Sequence, residues 1–346
     1  MPKGIVSPGI REIARQLDVR LVGGADPNAR LVEACMRKVE TWLDELGPAD
    51  TFDELLAIIS AKLKIHFEVV QDDEDLHAIV NRYLAQGEAG FANLQREFDD
   101  FTDAAVLRLL RAPSWSNKQY AAVVDARGYK APREWFSKWH EISHLIAEPQ
   151  AKLVYRRTQA TRRDPVERLM DQLAGELAFY KPLFVPALKG HGVNVADPRL
   201  AELVRFRDDS FEFASAFATF NAILQHSEVP CILVEAKTSL KATEQRQRAQ
   251  GALFEGERPR PQLRALTTSH NPEAIRRKFY IHRWMRIPMN SIIRRVHAGE
   301  ASCEHELAVE NLSWWESSGE KLPNRKIVVE AMRAGSDRVL ALVKRA

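Results

Sequence analysis

Cysteine is nearly absent from this chain: Cys35, Cys231 and Cys303 stand far apart among 346 residues, with no Cys-x-x-Cys pair. So few and so scattered, they exclude a disulfide framework and a cysteine zinc site. Long apolar runs are also missing. Nothing approaches the ~18 consecutive apolar residues of a membrane helix, and no charged segment followed by an apolar run opens the sequence. The cytoplasm is therefore the expected compartment, with no membrane partner. Charge of one sign is lacking too: 50 Lys and Arg against 47 Asp and Glu leave a formal charge of +3. That is too small to imply a nucleic-acid partner for the chain as a whole. No internal repeat or low-complexity tract is evident. What is present is an ordinary globular composition, long enough for two domains and a substantial core.

One stretch carries chemistry. Trp135 to Ile146 contains His140-Glu141-Ile142-Ser143-His144, the His-Glu-x-x-His spacing of a metal-dependent peptidase. Residues four apart on a helix lie one above the other, so both imidazoles can share one ion. Glu141 projects about 100° round from His140, within reach of a water held by that ion. Chance gives this spacing in roughly one chain in fifty of such composition, so the surroundings must decide. Pro132 fits the first turn of a helix, and Pro149 closes the segment. Trp135, Trp139, Ile142 and Ile146 give that helix a broad apolar face. Two His and a Glu buried on it without a ligand would be costly.

A peptidase zinc site usually has three protein ligands and one open position. Asp164 to Leu177 reads as the helix that would bring the third. Asp164 can cap it, Pro165 fits its first turn, and Val166, Leu169, Met170, Leu173 and Leu177 form its apolar stripe. Glu167 and Asp171 share one face. Spacing leaves two roles open for Glu167: third ligand, or partner of Asp164 in a capping box. Asp171 is assigned the spare N–H of a ligating His.

Arg133 to His144 followed by Glu167 to Leu177 resembles the ImmA/IrrE family of metallopeptidases. In that family the first helix carries His-Glu-x-x-His and the second, of the form Glu-x-x-Ala-Asn-x-Phe-Ala-Ala-Glu-Leu, carries the third ligand. The resemblance spans residues 119 to 186 and implies that Glu167 is that ligand. Asp171 stands where the family often has Asn, and Ala178-Phe179-Tyr180 replaces its Leu-Met-Pro ending. The implied fold class is α+β: a helix-rich, zincin-like metallopeptidase core with a small sheet, joined to a C-terminal α/β region. The implied cofactor is Zn2+, with Mn2+ or Fe2+ also served by two His and a carboxylate. Characterised relatives cleave helix-turn-helix transcriptional repressors in stress or mobile-element responses, so a repressor is the implied substrate.

Three regions are expected: helical 1–60, the peptidase core 61–189, and 190–346 as a regulatory or substrate-recognition region. In the first, Leu31, Cys35, Val39, Trp42, Leu43 and Leu46 form a helical stripe ending at Gly47-Pro48, and Thr51 with Glu54 is a capping box opening a second helix. A helix-turn-helix here is only weakly indicated by paired helices. Ile65 to Val70 and Tyr120 to Ala126 read as strands, Ala104 to Leu110 more weakly, and Asp75 to Leu84 as a helix. His66 reads as a solvated strand residue. In the family resembled, the strand before the active helix runs beside the metal and receives substrate as an added strand; a plain core strand has the same sequence pattern, and both readings stay open. Farther on, Phe206 to Leu224 reads as one helix, Val229 to Ala236 as a buried strand with Cys231 as apolar filler, Lys237 to Pro261 as an exposed excursion, and Gln262 to Thr267 as a possible strand. Residues 276–295 are basic, with Phe279, Tyr280 and Trp284 interleaved, the composition of a nucleic-acid surface and equally of a solvated helix face. His270, His282, His297 and His305 lack ligand spacing and are expected at the surface, and Trp314-Trp315 reads as either an interface or a local core.

The chemistry expected is hydrolysis of a peptide bond, with His140, His144 and Glu167 holding the ion and Glu141 as general base and then acid. An oxyanion donor is also needed, for which Tyr129, Tyr180 and His191 are candidates. The competing reading is a non-catalytic regulatory protein with a structural ion, binding nucleic acid or a protein partner through its basic C-terminal half.

Overall fold

The computed structural model describes residues 6–21, 26–98, 102–110, 117–148, 155–158, 164–249, 259–300, 306–317 and 320–346. The fold mixes helix and sheet. No helix among the described residues is long and apolar enough to cross a membrane. The chain divides into two compact units, Met1–Pro186 and Ala187–Ala346. Residues 1–60 thus share a unit with the two motif helices, and the division falls at 186/187 where 189/190 was expected.

The first unit opens with α1 (Pro8–Gln16), α2 (Pro27–Leu46) and α3 (Phe52–Leu63). Each starts on a side chain that accepts a backbone N–H: Ser7, Asp26 and Thr51. Thr51 and Glu54 bond reciprocally as a capping box. Along α2 the stripe Leu31, Cys35, Val39, Trp42 and Leu43 is buried, while Leu46 is 53% exposed, so the apolar face stops a turn before Gly47. Then come β1 (Ile65–Val70), α4 (Asp73–Ala85), α5 (Leu94–Glu97), β2 (Thr102–Arg108) and β3 (Tyr120–Asp125). Finally α6 (Glu134–Ala147), β4 (Tyr155–Thr158) and α7 (Pro165–Ala178) complete the unit.

The four strands form one sheet in the order β1-β3-β2-β4, with β1 parallel to β3 and the other pairs antiparallel. Side chains alternate across it. Ala121 and Val123 face a core with Leu76, Ile79, Tyr83 and Phe91, whereas Ala122 packs with Ile65, Val106 and Leu145 of α6. Covered on both faces, β3 is apolar throughout Ala121–Val124. It is also an inner strand. The expectation that β3 receives substrate as an added strand is corrected here, because β1 and β2 already occupy both its edges. Among the described strands, β1 and β4 are the outer ones.

The turn from β3 into α6 is pinned by charge. Buried Asp125 accepts from Lys130 Nζ at 2.7 Å and Arg127 Nε at 2.8 Å, and Arg133 meets buried Asp103 at 3.1 Å. These bonds hold Gly128–Arg133 as a 3-10 turn containing Pro132, so α6 starts at Glu134 rather than on the proline. Pro149 lies outside the described residues. The helix has already ended at Ala147, with the Glu148 N–H donating to His144 O.

Helix α8 (Lys181–Gly190) follows in the chain. The second unit contains α9 (Leu200–Ser210), α10 (Ala216–Leu224), β5 (Cys231–Ser239), α11 (Ala242–Ala249), β6 (Gln262–His270), α12 (Pro272–Arg276) and α13 (Ile292–Ala298). It ends with β7 (Glu306–Asn311), the short pair β8 (Glu316–Ser317) and β9 (Glu320–Lys321), β10 (Lys326–Arg333) and β11 (Arg338–Arg345). Its main sheet is antiparallel, in the order β6-β5-β11-β10-β7. One face carries Val234, Ala265, Ile327, Val329, Ala341 and Val343 against Ile292, Ile293 and Trp315.

Several expectations change in this unit. Phe206–Leu224 is two helices: Ser215 caps α10, and Phe211 leaves helical geometry at φ −141° to bury its ring. The excursion from Lys237 is shorter than expected, because β5 continues to Ser239 and α11 follows; residues 250–258 lie outside the described set. Trp315 is core while Trp314 is 43% exposed. His270 is half-buried and accepts the Ile281 N–H, and burial pushes its imidazole below the ordinary value. His305 is outside the described residues.

In the basic segment 276–295 most of the apolar residues enter the core while most of the basic side chains stay exposed, several of them with local partners. Phe279 is 1% exposed within the core. Arg276 and Arg277 both pair with Glu273, Arg283 donates to Leu266 O, and Arg294 donates to Ile287 O.

Candidate metal centre

Helix α6 is buried almost all round. His140 and His144 are each 1% exposed and Glu141 is 0% exposed. The reason is its place between the sheet and α7, which packs along it. Trp139, Ile142 and Ile146, fully buried, hold it there, and Trp135 stacks edge-on to both Trp139 and Phe52 of α3. Taking three ionisable groups into such a shell costs several kcal/mol per charge unless each is compensated.

Helix α7 supplies the compensation. Its N-cap Asp164 accepts from Val166 N at 2.7 Å, so the cap is closed without Glu167. The Glu167 carboxylate turns instead towards α6. Its Oε2 lies 3.2 Å from His140 Nε2, and its Oε1 lies 3.6 Å from His144 Nε2. The two Nε2 atoms are 3.3 Å apart. Of the two roles open from spacing, the geometry matches the ligand.

A carboxylate lies on the other side of each ring. Asp171, one turn beyond Glu167, lies 3.0 Å from His140 Nδ1 and takes its N–H, which leaves Nε2 with a lone pair. Glu148 Oε2 lies 3.5 Å from His144 Nδ1, an ion-pair distance without hydrogen-bond geometry. Two imidazole nitrogens and a carboxylate therefore converge, an arrangement that suits a cation standing among them. For bonds of ~2.0–2.1 Å in a tetrahedral zinc site, ligand atoms stand ~3.3–3.4 Å apart. The 3.3 Å between the two Nε2 atoms matches that edge, and each Nε2 has a different Glu167 oxygen at 3.2 or 3.6 Å. The donor set of His140, His144 and Glu167 thus fits a divalent metal ion and leaves one vertex for another ligand. Glu141 is outside this converging group.

The remaining candidates are placed elsewhere or apart. Tyr129 sits in the 3-10 turn before α6, 60% exposed, with the Arg133 guanidinium 6.0 Å above its ring. Tyr180 follows α7 and lines a different cavity, with residues of α2. His191 belongs to the second unit, where Ser210 Oγ lies 3.1 Å from its Nε2 and Phe206 packs edge-on to the ring. His66, on β1, pairs at 3.2 Å with Glu68.

Two contributors were not picked out from the sequence. Glu148 is four residues beyond His144, the same spacing as Glu167 to Asp171, and that signal was available. Lys38 of α2 donates to Ile146 O at 3.3 Å and so caps the end of α6. Nothing in the sequence ties it to a residue more than a hundred positions away. Compared against known protein families and against curated proteins, the chain matches none of them.

Proposed function

We propose that this protein is a metal-dependent endopeptidase that hydrolyses peptide bonds in a protein substrate. The observation that supports it most strongly is the convergence of His140 Nε2, His144 Nε2 and the Glu167 carboxylate beside a buried Glu141. In this reading the helix pair on its sheet is a zincin-like core of the ImmA/IrrE type.

His140, His144 and Glu167 hold the ion, and Asp171 fixes the His140 ring so that its lone pair faces inward. Once bound, a divalent ion supplies Lewis acidity, drawing the pKa of a water ligand from about 16 towards 7 and polarising a carbonyl. Glu141 is the proton carrier. It takes the proton from the attacking water and delivers it to the leaving amine nitrogen. Its burial excludes bulk water from that exchange. Zinc suits the ligand set, and manganese or iron suits the same atoms. An extended substrate would add at an outer strand, and β4, which lies between α6 and α7 in the chain, is the nearer choice in sequence.

By the resemblance of its motif helices, the substrate is a helix-turn-helix transcriptional repressor. The experiment is incubation of the metal-loaded protein with repressors encoded beside its gene. Cleavage should be lost by about 10²–10⁴-fold in Glu141→Gln, the range of a removed general base, while metal is retained. Cleavage by Glu141→Gln at the wild-type rate removes the assignment.

A further inference from the structure

Helix α1 packs against the start of α7, and the two meet at Gly9. A β-carbon placed on Gly9 would lie 2.6 Å from Cγ2 of Val166, the residue before Glu167. Carbon atoms in ordinary contact stand ~3.5–4.0 Å apart, so a side chain at position 9 would demand about 1 Å of movement. We infer that α1 sets the place of Glu167 in the metal centre, with Gly9 as a positioning residue that acts through Val166. The inference rests on His140, His144 and Glu167 holding an ion, and it does not depend on peptide hydrolysis.

Space, and not backbone conformation, calls for glycine at position 9. Gly9 lies in the first turn of α1 and does not have a positive φ. Alanine would favour that helix more than glycine does. Among the described glycines the next nearest approach is 3.4 Å, at Gly90. The contact with Val166 is therefore particular to this pair of helices.

Neither side of the contact yields freely. Val166 is β-branched, and such a side chain has one strongly preferred rotamer in a helix. Helix α1 is held by Ile10, Ile13 and Ala14, all buried, and by the Ser7 cap on Ile10 N. The displacement therefore passes into the first turn of α7. On that helix Val166 shares a face with Met170, Leu173 and Leu177, which are fully buried, while Glu167 and Asp171 occupy the face towards α6. Glu167 is the next residue along, with its Cα ~3.8 Å from that of Val166. Its oxygens stand 3.2 Å and 3.6 Å from the two imidazole nitrogens. Metal sites hold their bond lengths to about 0.2 Å, so part of the displacement suffices to spoil the fit. Glu167 can follow in part by turning about its own side-chain bonds, and the expected effect is weaker binding rather than loss.

Chelator competition for zinc on the full chain tests the inference, comparing wild type, Gly9→Ala and the double variant Gly9→Ala, Val166→Ala. Gly9→Ala should bind zinc on the order of tenfold more weakly, the lower end of what outer partners contribute to metal affinity. The double variant, relieved of the clash, should bind as tightly as wild type. Cobalt loading adds a readout of the site itself. Its visible absorption bands report ligand geometry, and they should change in Gly9→Ala and return in the double variant. Circular dichroism of the metal-free chains checks that each folds. If Gly9→Ala does not fold, the double variant still decides: wild-type affinity and bands sustain the inference, and weaker binding overturns it. Zinc affinity and cobalt bands unchanged in Gly9→Ala overturn it, as does weak binding that persists in the double variant. A wild type that takes up no zinc removes the metal centre and this inference with it, and is thereby told apart from a failure of the Gly9 contact alone.

Discussion

Two stretches of this chain attract attention for opposite reasons, and the structure treats them differently. In 134–177 the signal is spacing: His140, His144, Glu167 and Asp171 recur at intervals of a helical turn. In 276–295 the signal is composition: many Arg and Lys with aromatic residues among them. The spaced residues meet one another: the two Nε2 atoms are 3.3 Å apart, and the Glu167 carboxylate lies 3.2 Å from one and 3.6 Å from the other. The residues of the basic stretch instead disperse into local tasks. Phe279 fills a core, Arg276 and Arg277 neutralise Glu273, and Arg283 and Arg294 bond to carbonyls. Spacing on a regular element carries three-dimensional information, because the element's geometry is known in advance. Composition carries none until each side chain's partner is known.

The widest separation between the two stretches should appear with His144→Ala. It removes one of three ligands, and metal content measured by mass spectrometry should fall to background. Comparable substitution of Arg276 and Arg277 to Ala should leave metal content and the melting curve unchanged. Next in size is Phe279→Ala, expected to cost about 3–5 kcal/mol of stability in urea unfolding, as for other large-to-small core changes. A loss below 1 kcal/mol, with a loss of affinity for nucleic acid, would restore that stretch as a binding surface.

Asp171→Asn comes third. Outer partners of ligating histidines typically contribute 10–100-fold to metal affinity, and competition with a chelator should show a decrease in that range. Unchanged affinity would mean that the His140 tautomer is set without Asp171.

The smallest effect concerns pH, in the second unit. Glu310 is buried, and burial pushes its carboxyl above the ordinary range although Ser291 Oγ and Ile292 N both donate to it. A folded pKa above the unfolded one means that the folded chain holds this proton more tightly. Its contribution to stability is then full below the unfolded value and is lost as pH rises through the raised folded value. Glu310→Gln keeps an acceptor for both donors and removes the titration. Urea midpoints measured across that window should decline with pH more in the wild type than in the variant.

Much of the first unit was legible because its signals are local. Thr51 and Glu54 form the capping box their spacing implies, and β1 and β3 fall where alternation and β-branched residues put them. The paired helices α6 and α7 were legible for the same reason. What was not legible depends on distant partners. The inner position of β3 is a matter of which strands pair, and no strand's own residues state it. The 3-10 start before α6 reflects Asp103 and Asp125 gripping Arg133 and Lys130, contacts that connect the turn to two strands. The break between α9 and α10 has no Gly or Pro to announce it; Ser215, an N-cap residue, was the one available cue. For Glu167, spacing alone left capping and ligation equally open, and the difference was made by Asp164 closing its cap on Val166.

The most direct measurement of the central claim is X-ray absorption on the purified protein after loading with zinc, beside the same measurement on Glu167→Gln. One ion per chain, ligated by two imidazole nitrogens and by oxygen, with zinc held less tightly by the variant, is the predicted result. A wild type that takes up no ion, or an ion whose ligation and affinity are indifferent to Glu167→Gln, would contradict it.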